Sequence, residues 1–110
     1  MADGFDSQTL RDAAQHGRIH WHQHALERFL ERDITRGEVI NAIVDGEIIE
    51  TYPTDRPDPS CLILHVSSLP LHVVVAENNN DGICLVITAY RPSLEYFESD
   101  YRTRRKSHDQ

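Results

Sequence analysis

The stretch HWHQHALERFLERDI, residues 20–34, concentrates the side chains best suited to chemistry near neutral pH. Three alternating histidines, His20, His22 and His24, stand ahead of two arginines, Arg28 and Arg32, spaced by four. Read as a helix from about Gln23, the segment puts Ala25, Leu26, Phe29 and Leu30 on one face, turned toward a core. His24, Arg28 and Arg32 then stack along the flank of that face. An imidazole can move a proton near neutrality, and a guanidinium grips phosphate through two parallel N–H bonds. Such a pairing suits phosphodiester chemistry; a solvated helix edge with one capping histidine accounts for the same residues.

Metal binding fits the three histidines less well. They would share a face in a strand, but in a helix successive members point ~200° apart, and the helix begins inside the set. No acidic or cysteine partner stands at zinc-site spacing. Glycine-rich phosphate loops, nucleophile elbows and redox motifs are also missing from the sequence, so no cofactor is expected.

A second group of polar residues comes from the strand-like segments Leu71–Glu77 and Ile83–Tyr90, which flank the hairpin loop Asn78–Gly82. If Glu77 pairs with Ile83, His72 faces Thr88 and Val74 faces Val86, with Tyr90 on the same side. His72, Thr88 and Tyr90 would then cluster at the open end of the sheet. A register slip of one residue breaks this grouping, and a buried, satisfied histidine beside a hydroxyl is the structural alternative.

The elements that must position these residues follow from periodicity and caps. Residues 6–16 read as a helix with Asp6 or Ser7 as N-cap and Gly17 as its stop. Ile19–His22 is a brief extended or linking segment, and the second helix runs from about Gln23 to about Arg32. Thr35-Arg36-Gly37-Glu38 is a capping box. It opens a third helix carrying Val39, Ile40, Ile43 and Val44 and ended by Gly46. Strands follow at Glu47–Tyr52 and Cys61–Val66, then the two of the hairpin. Ser93 caps a final short helix through Leu94, Phe97 and Tyr101.

This order predicts an α+β fold, with N-terminal helices packed on one face of a four-stranded antiparallel sheet. Ala25, Phe29, Leu30, Ile40 and Ile43 are expected in its core. At 110 residues the chain reads as a single domain, 1–110, with a core over about 6–101. Residues 102–110 are read as a basic flexible tail. Residues 1–101 carry seven positive against seventeen negative charges, and the whole chain is at −7. That balance excludes a surface that clings to nucleic acid throughout. No apolar run approaches the ~20 residues of a membrane span. The acidic start, MADGFDSQTLRD, lacks the apolar segment of a signal peptide. A cytoplasmic protein with no membrane partner is expected, with Cys61 and Cys84 as small core residues.

HWHQHALERFLERDI, VINAIVDGEIIETYP, PLHVVVAE and VITAYRP together resemble a small bacterial domain family over residues 20–98. Its pattern is a His-Ala-x-x-Arg helix, a Gly-Glu-Ile-Ile strand entry, Leu-His-Val-Val and Val-Ile-Thr-x-Tyr-x-Pro. That family resembles the RelE-like and barnase/colicin-type ribonuclease fold. Its members often look like the toxin half of a toxin–antitoxin pair, beside a zinc-finger antitoxin. His24, Arg28, His72, Thr88 and Tyr90 stand at motif positions.

Metal-free RNA cleavage needs a base for the 2′-hydroxyl, an acid for the leaving oxygen and cations for the phosphate. Together with these residue types, the resemblance implies a toxin-like, metal-independent endoribonuclease acting on RNA, with ribosome-bound RNA included. His24 or His72 transfers protons. Arg28, with Arg32 or Arg91, clamps phosphate, and Tyr90 or Thr88 orients the reacting groups. His24 and Arg28 are expected within reach of His72, Thr88 and Tyr90. The competing reading is a non-catalytic protein-binding module of the same fold, which the acidic charge favours. A homo-oligomer is compatible with either.

Overall fold

The computed structural model describes residues 7–56, 58–78 and 82–106. Asp6 as a helix cap, Asn79–Asp81 of the hairpin loop and residues 107–110 of the expected tail lie outside them. Helix α1 (Ser7–Gln15) buries Leu10, Ala13 and Ala14, and Gly17 at φ 77 turns the chain after it. Strand β1 (Ile19–Trp21) leads to α2 (Gln23–Arg32). His22 caps α2 by accepting the His24 amide on its ring at 3.2 Å. Asp33, in the left-handed region at φ 57, closes α2 with its N–H on the Phe29 carbonyl.

Helix α3 (Arg36–Asp45) starts with the expected capping box: Thr35 Oγ1 accepts from the Glu38 amide at 3.1 Å, and Glu38 Oε1 accepts from the Thr35 amide at 3.0 Å. Arg11 of α1 reaches the Ile43 and Val44 carbonyls at 3.1 and 2.8 Å, where a cation suits the negative end of the helix dipole. Gly46 ends α3 in close quarters. A Cβ there would lie 2.6 Å from Ile63 Cγ2 and 2.8 Å from the Leu64 carbonyl oxygen.

The sheet holds β1, β2 (Glu47–Tyr52), β3 (Ser60–Val66), β4 (Pro70–Asn78) and β5 (Ile83–Tyr90), in the order β1-β5-β4-β3-β2. The expected antiparallel meander of four strands is present. A fifth strand corrects the rest of the reading: β1 pairs parallel with β5, Ile19 with Cys84 through Trp21 with Val86, so the sheet is mixed. Of the two readings of Ile19–His22, extended or linking, the extended one holds, but three residues are too few for a period-two pattern to show that they join the sheet.

All three helices cover one face of the sheet. Ala25, Phe29, Val39, Ala42 and Ile43 pack there with Leu10, Cys61, Ile63, Val73, Val75, Val86 and Ala89 in one cluster. Leu30, expected in the core, is 87% exposed. It sits about 100° around the helix from Phe29, past the edge of the buried stripe. Ile40 is half-buried.

The opposite face is covered too, by the end of the chain. The expected helix from Ser93 is a turn, followed by a strap whose Phe97 and Arg104 pair as an isolated antiparallel bridge. Leu94, Phe97 and Tyr101 have helical spacing, but Asp100 captures the amides of Arg102 and Thr103 at 3.0 and 2.9 Å. Tyr101 then reverses the chain at φ 59. Phe97 is thereby laid over the sheet. Residues 102–106, expected as the start of a flexible tail, are tied down by ion pairs from Arg102 to Glu47, Arg104 to Glu50 and Arg105 to Glu98. No helix among the described residues is long and apolar enough to cross a membrane.

Candidate functional site

Register decides which polar side chains meet. Glu77 pairs with Cys84 and Asn78 with Ile83, one residue from the expected alignment. A bulge between Val74 and Val75 then passes over Ile87, so Val74 faces Thr88 and His72 faces Tyr90. The two offsets add to two residues. An even shift keeps every side chain on its face, so His72, Thr88 and Tyr90 do share one side, but the direct partner of His72 is Tyr90.

His72 is fully buried on the face away from the helices. Its Nε2 lies 2.7 Å from the Tyr101 carbonyl oxygen and its Nδ1 3.2 Å from Tyr90 Oη. A carbonyl only accepts, so Nε2 carries the proton and Nδ1 accepts from the tyrosine hydroxyl. The Phe97 ring stands perpendicular to the imidazole, with centroids 4.6 Å apart. Burial pushes the His72 pKa below its ordinary value, outweighing the favourable Tyr101 carbonyl.

Beside it on β2, Glu50 accepts two bonds from Arg104, at 2.7 Å from Nε and 3.0 Å from Nη2. Tyr52 donates its hydroxyl to the same carboxylate. The Arg104 guanidinium holds Glu50 below the usual carboxylate range against the opposing effect of burial. Burial, with Glu50 adding to it, drives Tyr52 up to about 12. Tyr90 is raised by burial as well, and feels the charges of both Arg104 and Glu50. An ionised base, two protonated phenols and a guanidinium thus occupy one side of the sheet. The Arg104 guanidinium also lies 4.9 Å from the centre of the Phe97 ring.

The other candidates lie elsewhere. His24 is 78% exposed in its side chain, 3.6 Å from Glu27 and stacked on His22. Arg28 pairs with Glu31 at 3.0 Å. Both project from a helix that packs on the far face of the sheet from His72, so the expectation of one site containing His24, Arg28, His72, Thr88 and Tyr90 fails. That expectation had the flank of α2 projecting past a sheet edge, and only Arg32 does so. It donates to the Ala89 carbonyl at 2.8 Å and lies 3.5 Å from Thr88 Oγ1. Arg91 is held by Glu38 at 2.8 Å, and that contact lowers the Glu38 pKa. Among the described residues no group of three or more His, Cys, Asp or Glu side chains is placed to hold a metal ion.

Sequence reasoning missed Glu50, Tyr52 and Arg104. A signal for them existed: Glu50 and Tyr52 alternate on one face of EIIETY, while the only cluster of surplus cations is at the C-terminus. A family model, described as a domain of unknown function (DUF4258), matches residues 21–91. The chain belongs to the DUF4258 family. Its matched region holds Glu50, Tyr52, His72 and Tyr90, whereas the strap that brings Arg104 lies beyond it. No curated protein and no solved structure matches the chain.

Proposed function

We propose that this DUF4258 protein is a toxin-like endoribonuclease that works by general acid–base chemistry on the sheet face opposite the helices. One observation carries the reading: Glu50, kept ionised by Arg104, lies among phenols that keep their protons. Glu50 takes the proton of the RNA 2′-hydroxyl, whose oxygen attacks the adjacent phosphorus. Arg104 exchanges its carboxylate partner for the phosphate and offsets the charge that gathers in the transition state. Tyr90 or Tyr52 turns its hydroxyl away from His72 or Glu50 to protonate the departing 5′-oxygen, leaving a 2′,3′-cyclic phosphate. His72 accepts from Tyr90 in the free protein and holds the phenol oxygen in place. It is a positioning residue here, not a proton carrier, because it is buried with both ring nitrogens occupied. Control by a zinc-finger-type antitoxin follows from the resemblance in the sequence motifs.

A second reading, a non-catalytic protein-binding module, is favoured by a different observation. Arg28, Arg91, Arg102, Arg104 and Arg105 each face a carboxylate, on a chain of net charge −7.

Expression of the wild type and Glu50→Gln in bacteria, with growth and RNA integrity followed, separates the two. Cleavage by the purified chain is assayed in parallel with EDTA present. The nuclease reading expects slowed growth, cyclic-phosphate ends and a ~10²–10⁴-fold loss on removing the base. Intact RNA, free or on ribosomes, with unaffected growth overturns it in favour of the binding module.

A further inference from the structure

Where the strap crosses the end of β5 it leaves an open depression of about 440 Å³, lined by Tyr90, Arg91, Ser93, Tyr96, Phe97 and Arg104. Two guanidiniums and three hydroxyl groups line it, and no carboxylate does. Each guanidinium has a carboxylate partner just outside the lining, Arg91 in Glu38 and Arg104 in Glu50. Two of these groups, Ser93 and Tyr90, keep hydrogen-bonding capacity as they stand. Arg104 commits Nε and Nη2 to Glu50 and also hydrogen-bonds Tyr52, so it takes a phosphate by exchanging one of these partners. Ser93 Oγ accepts from the Glu95 amide, so its own O–H is free to donate. Tyr90 donates to His72 and can still accept. Tyr96 is 64% exposed, and its ring offers a flat apolar surface beside these groups.

We propose that this depression binds one ribonucleotide unit, with the base stacked on Tyr96 and the phosphate held by Arg104 and Ser93. A volume within the ~300–1,000 Å³ of ligand pockets suits a mononucleotide, and stacking tolerates any base because each has a π-face. Arg104 selects an anion once it exchanges partners, the Tyr96 ring selects an aromatic group, and a nucleotide joins the two. Tyr90 and Arg91 lie within residues 21–91, which the family model matches, and Ser93, Tyr96, Phe97 and Arg104 lie beyond them. The inference deepens the ribonuclease reading by naming where the substrate strand is held beside Glu50.

The test titrates the purified full chain with ribonucleoside 5′-monophosphates, followed by calorimetry or by tyrosine resonances. Inorganic phosphate and uncharged nucleosides serve as comparison probes. The monophosphates are expected to bind more tightly than either comparison probe, and more weakly as salt rises. Tyr96→Ala, at an exposed position where the fold is safe, is expected to lose about tenfold in affinity. Ser93→Ala weakens phosphate binding to a lesser degree. The site is overturned if monophosphates bind no better than inorganic phosphate, or if Tyr96→Ala binds as the wild type does. Because binding is read without turnover, a chain that binds but never cuts RNA retires the nuclease and keeps the site. Cleavage that needs Glu50, without monophosphate binding, removes only the site.

Discussion

His72 shows how burial turns a titratable group into a structural one. The unfolded chain takes up a proton at this residue near pH 6.5, whereas the folded chain resists doing so until lower pH. Between those values the unfolded state holds more protons, so stability rises with pH through the window and falls as pH drops below about 6.5. His72→Gln preserves a donor for the Tyr101 carbonyl and an acceptor for Tyr90 but cannot ionise. Its urea midpoint should therefore depend less on pH than that of the wild type just below 6.5; equal slopes reject the assignment. Glu38 and Glu50, both held below 4.5, lose their stabilising effect only in more acidic solution, so the comparison is made just below 6.5. Cys61 and Cys84 are both pushed up to about 12 by burial. As thiols and not thiolates they should resist a thiol reagent in the native protein and react promptly in denaturant. Rapid native labelling would show that the strands around them open readily.

Elements defined by neighbouring residues were the legible ones. The capping box of α3 is complete within four positions, and its removal is measurable: Thr35→Ala should cost about 1 kcal/mol of stability in denaturant titrations. Gly46→Ala should cost more, on the order of 1–3 kcal/mol, because the new methyl would press on Ile63 and the Leu64 carbonyl. A neutral Gly46→Ala would mean that the α3–β2 corner relaxes freely. Elements defined by distant contacts were not legible. The parallel pairing of β1 depends on Ile19 meeting Cys84, and nothing local marks it. Likewise the bulge over Ile87 leaves no trace in ICLVITAY, although it decides that His72 meets Tyr90. The site followed the same rule. His72 and Tyr90 were found through strand alternation, while Glu50 and Arg104, 54 positions apart, come together only when the strap folds back. Leu94, Phe97 and Tyr101 suggested a helix because spacing alone cannot register the reversal at Asp100 and Tyr101.

On the scale of the whole molecule, both faces of one sheet are occupied by different parts of the chain. Three helices build the core on one side, and a short strap with several ion pairs closes the other. Leu62, Leu64 and Ala76 are buried without belonging to the main helix-side cluster. These side chains add apolar surface to the strap side, beside buried His72, and β5 would be the strand most dangerous to leave open. It is not left open. β1 takes the amide row of residues 84–86, and just beyond it Arg32 occupies the Ala89 carbonyl. A three-residue strand and one guanidinium thus deny a second copy of this chain the template on which edge-to-edge fibres grow. Arg32, chosen in the sequence as a phosphate ligand, takes on the character of a gatekeeper against self-assembly. Arg32→Ala should sediment as larger species at rising concentration than the wild type does, and unchanged sedimentation would show that β1 alone guards the edge.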